Sequence, residues 1–596
     1  MMKNKMKHIL GIRWMMMIGL SFIISTFSFS PARAQELVVT VDSIGQFGTR
    51  LPDSLRFSMS ELKITGPMGG ADLKILQNML KNPRQKKATD KVLTVLDLSE
   101  ATIVESRGSF HTKADILPAS MFQGCKNLER VCLPSATQEV SISLFNGCIN
   151  LKEVEIPEGT LVINKYAFNG CTSLKEVKLP ATITAIKNNA FNGCTSLSDI
   201  EIPDAVEVID EDAFANCKAL QRLSLHDTNI KAIKAETFAR CERLEAISLS
   251  PSVTVIGNEA FKGCTALESI QMPEAVSEIG NSAFEQCQSL RSIEMNSATV
   301  IGSNAFRGCM SLENVEIEHV NKIGNGAFKG CTGLAAVSLD GNLSSIGTET
   351  FMDCTNLLSI TLPATVKSIG TRAFADCKSL GLIDLPDGLT RIYDHAFENC
   401  ASLRHIVVPN LVKQLGSDTF ENCASLDSVV INGFIDKIES DVFRYCHSLR
   451  TISLPISVKS IGDNAFEECT SLTDINLPIS ITSIGDNAFD KCASIVYVIV
   501  PAACTSIGSA SFRECTALQR IELPAALKKI GGNAFAKCAS LKEISMGSPL
   551  PPSISHSTFK GVVMAACKIY VPKGARSNYR NDKSWNKMPN IVEQDQ

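Results

Sequence analysis

One pattern recurs nineteen times along this chain, about every 23 residues, and nothing else in the sequence limits the fold so tightly. Its most regular member is cysteine. From Cys125 to Cys538 the spacing is 23 residues, apart from one step of 24 (Cys217 to Cys241) and two of 22 (Cys287 to Cys309 to Cys331). A phenylalanine stands three residues before each of the nineteen, from Phe122 to Phe535, and a leucine three residues after, replaced once by Ile495. The full pattern is A-F-x-x-C-x-S-L-x-x-I-x-L-P-x-x-V-x-x-I-G-x-x, seen cleanly from Ala465-Phe466 to Ile484-Gly485.

Each apolar position has a physical task. The L-x-x-I-x-L segment reads as a short strand, with alternate side chains on opposite faces. After Cys469, Leu472, Ile475 and Leu477 would point inward, and Asp474 and Asn476 outward. Pro478 would end the strand because it has no N–H to give a ladder. Ile481, Ile484 and Gly485 predict a return side with a second short strand and a turn, and Ala488-Phe489 closes the coil with a ring at its centre. One such unit cannot bury its own apolar face, whereas stacked units bury it against both neighbours. The fold class is therefore a repeat solenoid of leucine-rich-repeat type, mainly short parallel β-strands with turns and short helical segments, capped at both ends. At the N-terminal end, Leu93, Leu96 and Leu98 form a cryptic strand, and Ala71 to Leu80 an amphipathic helix. At the other end, Ile569-Tyr570-Val571-Pro572 reads as a degenerate strand, with Tyr579 and Trp585 available to cover the open coil.

The pattern divides the chain into a signal segment (1–34), an N-terminal cap with the cryptic repeat (35–115), nineteen repeats (116–547) and a C-terminal cap (548–596). The signal reading rests on Lys3, Lys5, Lys7 and Arg13, an apolar run from Trp14 to Phe29, and the small residues of Ala32-Arg33-Ala34. A retained membrane anchor is the competing reading of that run. No cysteine follows the cut, so a lipid-anchored N-terminus is not expected, and no later stretch is apolar for long enough to span a membrane. Removing the four basic residues named and Arg33 leaves 53 basic against 62 acidic residues, a net charge of −9. That balance, without a basic run, speaks against nucleic acid and anionic lipid as partners.

The A-F-x-x-C-x-S-L-x-x-I-x-L-P core at 122–546 and the I-Y-V-P-K-G segment at 569–574 resemble the BspA-like leucine-rich-repeat surface proteins of bacteria. The resemblance implies an exported protein, often at the cell surface, whose usual role is adhesion or partner binding. It brings no catalytic residues with it.

Twenty-two cysteines in an exported chain would ordinarily suggest disulfides. Here nineteen share one interior position and point the same way, so they are expected to remain reduced, as small buried hydrophobes. Cys504 takes an apolar slot of the return strand, Cys567 lies in the cap, and Cys132 takes an outward strand position, where it is expected to be the exposed thiol. No C-x-x-C pair, H-E-x-x-H, G-x-S-x-G or phosphate-binding loop occurs. Neither catalysis nor a cofactor or metal is expected.

Function is then sought on the outward strand positions, the expected concave face. Early repeats are charged there (Glu153, Glu155, Glu176, Lys178, Asp199, Glu201), and the middle is small and polar, as at Ser248, Ser269 and Ser338. Later repeats turn apolar, with Leu382, His405, Val407, Val430, Tyr497 and Ile499 as candidate binding residues. β-Branched residues also simply favour strands, and that alternative carries equal weight. The expected function is recognition of a protein or glycan partner by a secreted or surface protein. A scaffolding protein of the periplasm or extracellular matrix is the competing reading.

Overall fold

The computed structural model describes residues 36–56, 59–81, 92–107, 110–295, 297–594. The expected signal segment lies outside them. Each repeat makes one turn of a coil with three sides.

The front side carries the short strands of the L-x-x-I-x-L segment, such as Glu153–Glu155 and Ala246–Ser248, all paired in parallel. Their middle residues are buried and their flanks exposed, as the period of two requires. The return side carries two-residue strands, such as Val162–Ile163 and Ala185–Ile186, again parallel. The glycine of the I-G pair marks a tight approach between coils. At Gly324 a Cβ would stand 2.3 Å from the backbone nitrogen of Ser303 in the preceding coil.

The third side holds the A-F-x-x-C turn, and its backbone hydrogen bonds between coils run one way. The N–H groups of Ser143, Phe145 and Gly147 donate to the carbonyls of Lys165, Ala167 and Asn169 in the following coil, at 2.9, 2.8 and 2.7 Å. The same sense holds in the array from Phe122→Leu144 to Phe535→Thr558. On the front side, by contrast, Leu133 donates forward to Glu155 while Lys152 donates backward to Glu129. The third side is thus a polar ladder, with carbonyls facing the N-terminal end and N–H groups the C-terminal end.

The core is one column. Successive phenylalanine rings stack at centroid distances such as 5.3 Å (Phe306 to Phe328) and 5.4 Å (Phe328 to Phe351). The stack continues one coil past the last cysteine repeat, to Phe559, 5.5 Å from Phe535. Trp585 ends it, turned edge-on to Phe559 at 6.0 Å, with Tyr579 edge-on to Trp585 at 5.3 Å. The polar tips of both closing rings are satisfied, Trp585 Nε1 by the Pro552 carbonyl and the Tyr579 hydroxyl by that of Ser548. Strands Lys568–Val571 and Ile591–Glu593 extend the front sheet over this end.

At the other end, the cryptic strand forms as Val95–Asp97, and strands Leu37–Thr40 and Glu61–Met68 extend the sheet further. The helix Gly70–Lys81 lies across the open carbonyl end. Gln77 Nε2 donates to the Met121 carbonyl at 3.1 Å, and Lys81 Nζ to that of Ser120 at 3.2 Å.

Two expectations need correction. Cys132 is buried, at 7% exposure, because Arg130 and Glu155 pair beside it and the side chains of Glu155 and Asp97 flank the thiol from the paired strands. A cysteine is shorter than its cross-strand neighbours, so an outward position does not make it accessible. The segment from Leu472 to Leu477 points its apolar residues inward as expected but forms no ladder strand, and neither does the segment around Leu382.

Candidate functional site

The front surface divides by charge along the array. In the early coils Glu176, Lys178, Asp199, Glu201 and Arg222 line a broad concavity of about 780 Å³. Arg130 lies beside Glu153 at 3.5 Å and pairs with Glu155. The charges of Glu153 and Glu155 are thereby matched internally, and Arg222 lies 3.8 Å from Glu245.

The later coils carry the six residues singled out from the sequence, and the structure separates them into two groups. Leu382, His405 and Val407 line one concavity of about 340 Å³, floored by Ile383 and edged by Pro409. Val407 pairs with Val430 in the next coil, within the three-stranded segment His405–Val408, Ser428–Ile431 and Thr451–Ser453. His405 Nδ1 sits 2.8 Å from the Ser428 hydroxyl, which in turn donates to Asp427 at 2.7 Å. That bond fixes the ring over the sheet.

Tyr497 and Ile499 are also exposed, but polar coils bearing Thr451, Ser453, Asp474 and Asn476 lie between them and Val430. The Tyr497 hydroxyl already donates to Glu522 at 2.5 Å, and the Arg520 guanidinium lies 5.5 Å from the ring centre. Burial, followed by the Glu522 hydrogen bond, pushes its pKa up. Tyr497 is thus tied into a charged group of its own, distinct from the Leu382–Val430 patch.

A third set escaped the sequence reading. In four consecutive coils the turn that leaves the front strand bears a large apolar residue: Leu411, Phe434, Ile456 and Ile479, at 50, 73, 69 and 74% exposure. At the position of Ile456 and Ile479, ten residues after the cysteine, neighbouring coils place Ala364, Asp387, Ala502 and Ala525, and at that of Leu411 and Phe434, one residue later, they place Thr365, Gly388, Ala503 and Ala526. The signal is present in the sequence, but these residues lie beyond the position where a proline ends the strand, outside the alternating positions from which an outward face is read. Leu411 lies two residues beyond Pro409, so this ridge adjoins the edge of the Leu382–Val407 concavity. Strand propensity cannot account for it, because these are turn residues.

Among the described residues one group has the chemistry of a metal centre, His395 with Glu398 and Glu421, on the third side of the coil and not on the front sheet.

The family model for the BspA type leucine rich repeat region matches residues 115–245, 231–358, 321–450 and 436–564. No curated protein matches the chain in sequence. Among solved structures, a leucine-rich repeat protein from Bacteroides ovatus is 22% identical, over 84% of this chain and 92% of that one, with a TM-score of 0.35. A leucine rich cell surface protein from Faecalibacterium prausnitzii is 28% identical, over 49% of this chain and 90% of that one, also at 0.35. A leucine-rich repeat protein from Eubacterium ventriosum is 20% identical, over 59% and 84%, at 0.28.

Proposed function

Because the chain belongs to the BspA-type leucine-rich-repeat family, we propose that it is an exported, non-catalytic recognition protein. Its partner is a protein, bound where the Leu382–Val430 patch meets the ridge of Leu411, Phe434, Ile456 and Ile479. The ridge carries the reading: four neighbouring coils expose large apolar side chains in the turns that leave their front strands, a run not repeated among the described residues of the array. Grouped exposure of this kind marks interaction surfaces. Burying each such side chain against a partner contributes roughly 1.5–3 kcal/mol. A surface of leucine, isoleucine, valine and one phenylalanine suits an apolar protein face better than a glycan.

Export rests on the basic start, apolar run and A-x-A site of residues 1–34. No helix among the described residues is long and apolar enough to cross a membrane. The protein isolated from cells is expected to begin at Gln35, free or cyclised, by mass spectrometry. Recognition is tested by screening the purified mature chain against matrix and cell-surface proteins, beside labelling of intact cells. Labelling with specific binding supports the reading. A chain shielded from label and without partners would instead be a scaffold of the periplasm.

A further inference from the structure

On the third side of coils 395 to 421 the residues at equivalent positions assemble a donor set. Nδ1 of His395 is buried and makes no hydrogen bond, although Glu398 Oε2 lies 3.1 Å away, outside hydrogen-bond geometry. Nε2 of the same ring faces Asp418 Oδ2 at 3.8 Å. Glu421 stands one coil beyond Glu398, is mostly buried, and accepts no side-chain hydrogen bond, its nearest cation being Arg444 Nη1 at 3.7 Å. One donor atom from each of His395, Glu398 and Glu421 lies within 4.8 Å of the others.

We propose that His395, Glu398 and Glu421 bind one divalent transition-metal ion of the zinc type, with Asp418 orienting the imidazole through Nε2–H. Bonds of about 2.0–2.2 Å in a tetrahedral site put ligand atoms roughly 3.4 Å apart, which small side-chain rotations reach from the present positions. A carboxylate behind the second ring nitrogen is the usual support of a metal-binding histidine. The nitrogen donor sets the group apart from a plain acidic cluster and selects zinc-like ions over calcium, which prefers oxygen alone.

Charge points the same way. Five carboxylates (Glu398, Asp418, Glu421, Asp441 and Glu467) converge on this strip, and Arg444 is the cation among them. It is shared between Asp441 at 3.4 Å and Glu467 at 2.9 Å and stacks on the Tyr445 ring at 4.5 Å.

The inference stands apart from the recognition reading, since it concerns a different side of the coil and is tested without a protein partner. Metal-free mature chain is titrated with zinc chloride by calorimetry. One zinc per chain is expected, with affinity at least tenfold weaker in His395→Asn and in Glu421→Gln. Asparagine is already accepted at the equivalent left-handed positions, Asn464 and Asn487. His395→Asn should therefore melt like the parent without zinc, separating lost binding from lost folding. A parent that takes up no zinc, a His395→Asn chain that binds it equally well, or a preference for calcium over zinc would overturn the proposal.

Discussion

The thiol of Cys148 donates to the backbone carbonyl of Phe122, one coil earlier, at 3.0 Å. That carbonyl already accepts the N–H of Cys125. The relation repeats along the array, through Cys331 to Phe306 at 3.1 Å and Cys538 to Phe512 at 3.0 Å. It explains why cysteine fills a position that needs only a small apolar group: the thiol packs as a hydrophobe and still satisfies a second lone pair. Cys331→Ala should lose this bond, at about 1 kcal/mol, together with some packing. Urea melting of the variant should show a small loss of stability, and an unchanged midpoint would deny the bond any weight.

Burial holds these thiols protonated. Cys194, Cys241 and Cys331 are each pushed up to about 12 from an ordinary value of 9.0. The folded chain keeps protons that the unfolded chain would release above pH 9, so the stabilisation is complete below that pH. It is lost as pH rises from 9 towards 12. Thermal melts should therefore hold level to about pH 9 and fall steeply beyond it, summed over many equivalent cysteines. Native alkylation near pH 8 should label none of them, Cys132 included, since burial and the Glu155 hydrogen bond push that thiol to about 12 as well. Rapid labelling of any of these cysteines without unfolding would contradict the packing described.

Phe328 touches the rings on both sides, at 5.3 and 5.4 Å. Phe328→Ala should open a cavity costing roughly 3–5 kcal/mol. Coils contact only their neighbours, so the loss should stay local. Hydrogen exchange is expected to quicken between residues 306 and 351 and to remain unchanged in coils far along the array.

Gln77 stands in for a coil that does not exist. Its amide meets the Met121 carbonyl, the group that in later coils receives a phenylalanine N–H, as Leu144 does from Phe122. Lys81 adds a positive charge at the carbonyl end of the one-way ladder. Gln77→Leu leaves a buried acceptor unpaired, at about 1–3 kcal/mol. Fraying should begin there, read as faster exchange around residues 118–124, while Gln77→Glu should be worse still because it sets an acceptor against an acceptor.

Local pattern made most of the coil legible. Period-two alternation placed Val154 and Ile247 inside, and the Ile484-Gly485 pair announced the return strand and its tight turn. What escaped depends on neighbours in other coils. Cys132 is hidden by Glu155 and Asp97, residues 23 and 35 positions away. Tyr497 is tied to Glu522 in the next coil, and His395 meets Glu421 only because 23 residues make one turn. Phe559 was missed as a stacking ring because no cysteine follows it, Val562 standing in that slot. The one-way ladder leaves no mark in the sequence, since backbone groups form it.

The recognition surface makes the last prediction. Changing Phe434, Ile456 and Ile479 together to Ser removes the most exposed apolar side chains without touching the stacked column. The melting temperature should stay within a degree or two, since exposed side chains that bury nothing contribute little to folding. Affinity for a partner found by screening should fall at least a hundredfold, the consequence of losing about 3 kcal/mol or more of apolar contact. Val407→Ser with Val430→Ser should weaken the same complex less, because Val430 is already half-buried in its own sheet. Tyr497→Ser should leave it unchanged, since Tyr497 belongs to the separate group around Glu522 and Arg520. If the ridge variant binds like its parent while Tyr497→Ser does not, the contact lies on the last coils and the ridge has another purpose.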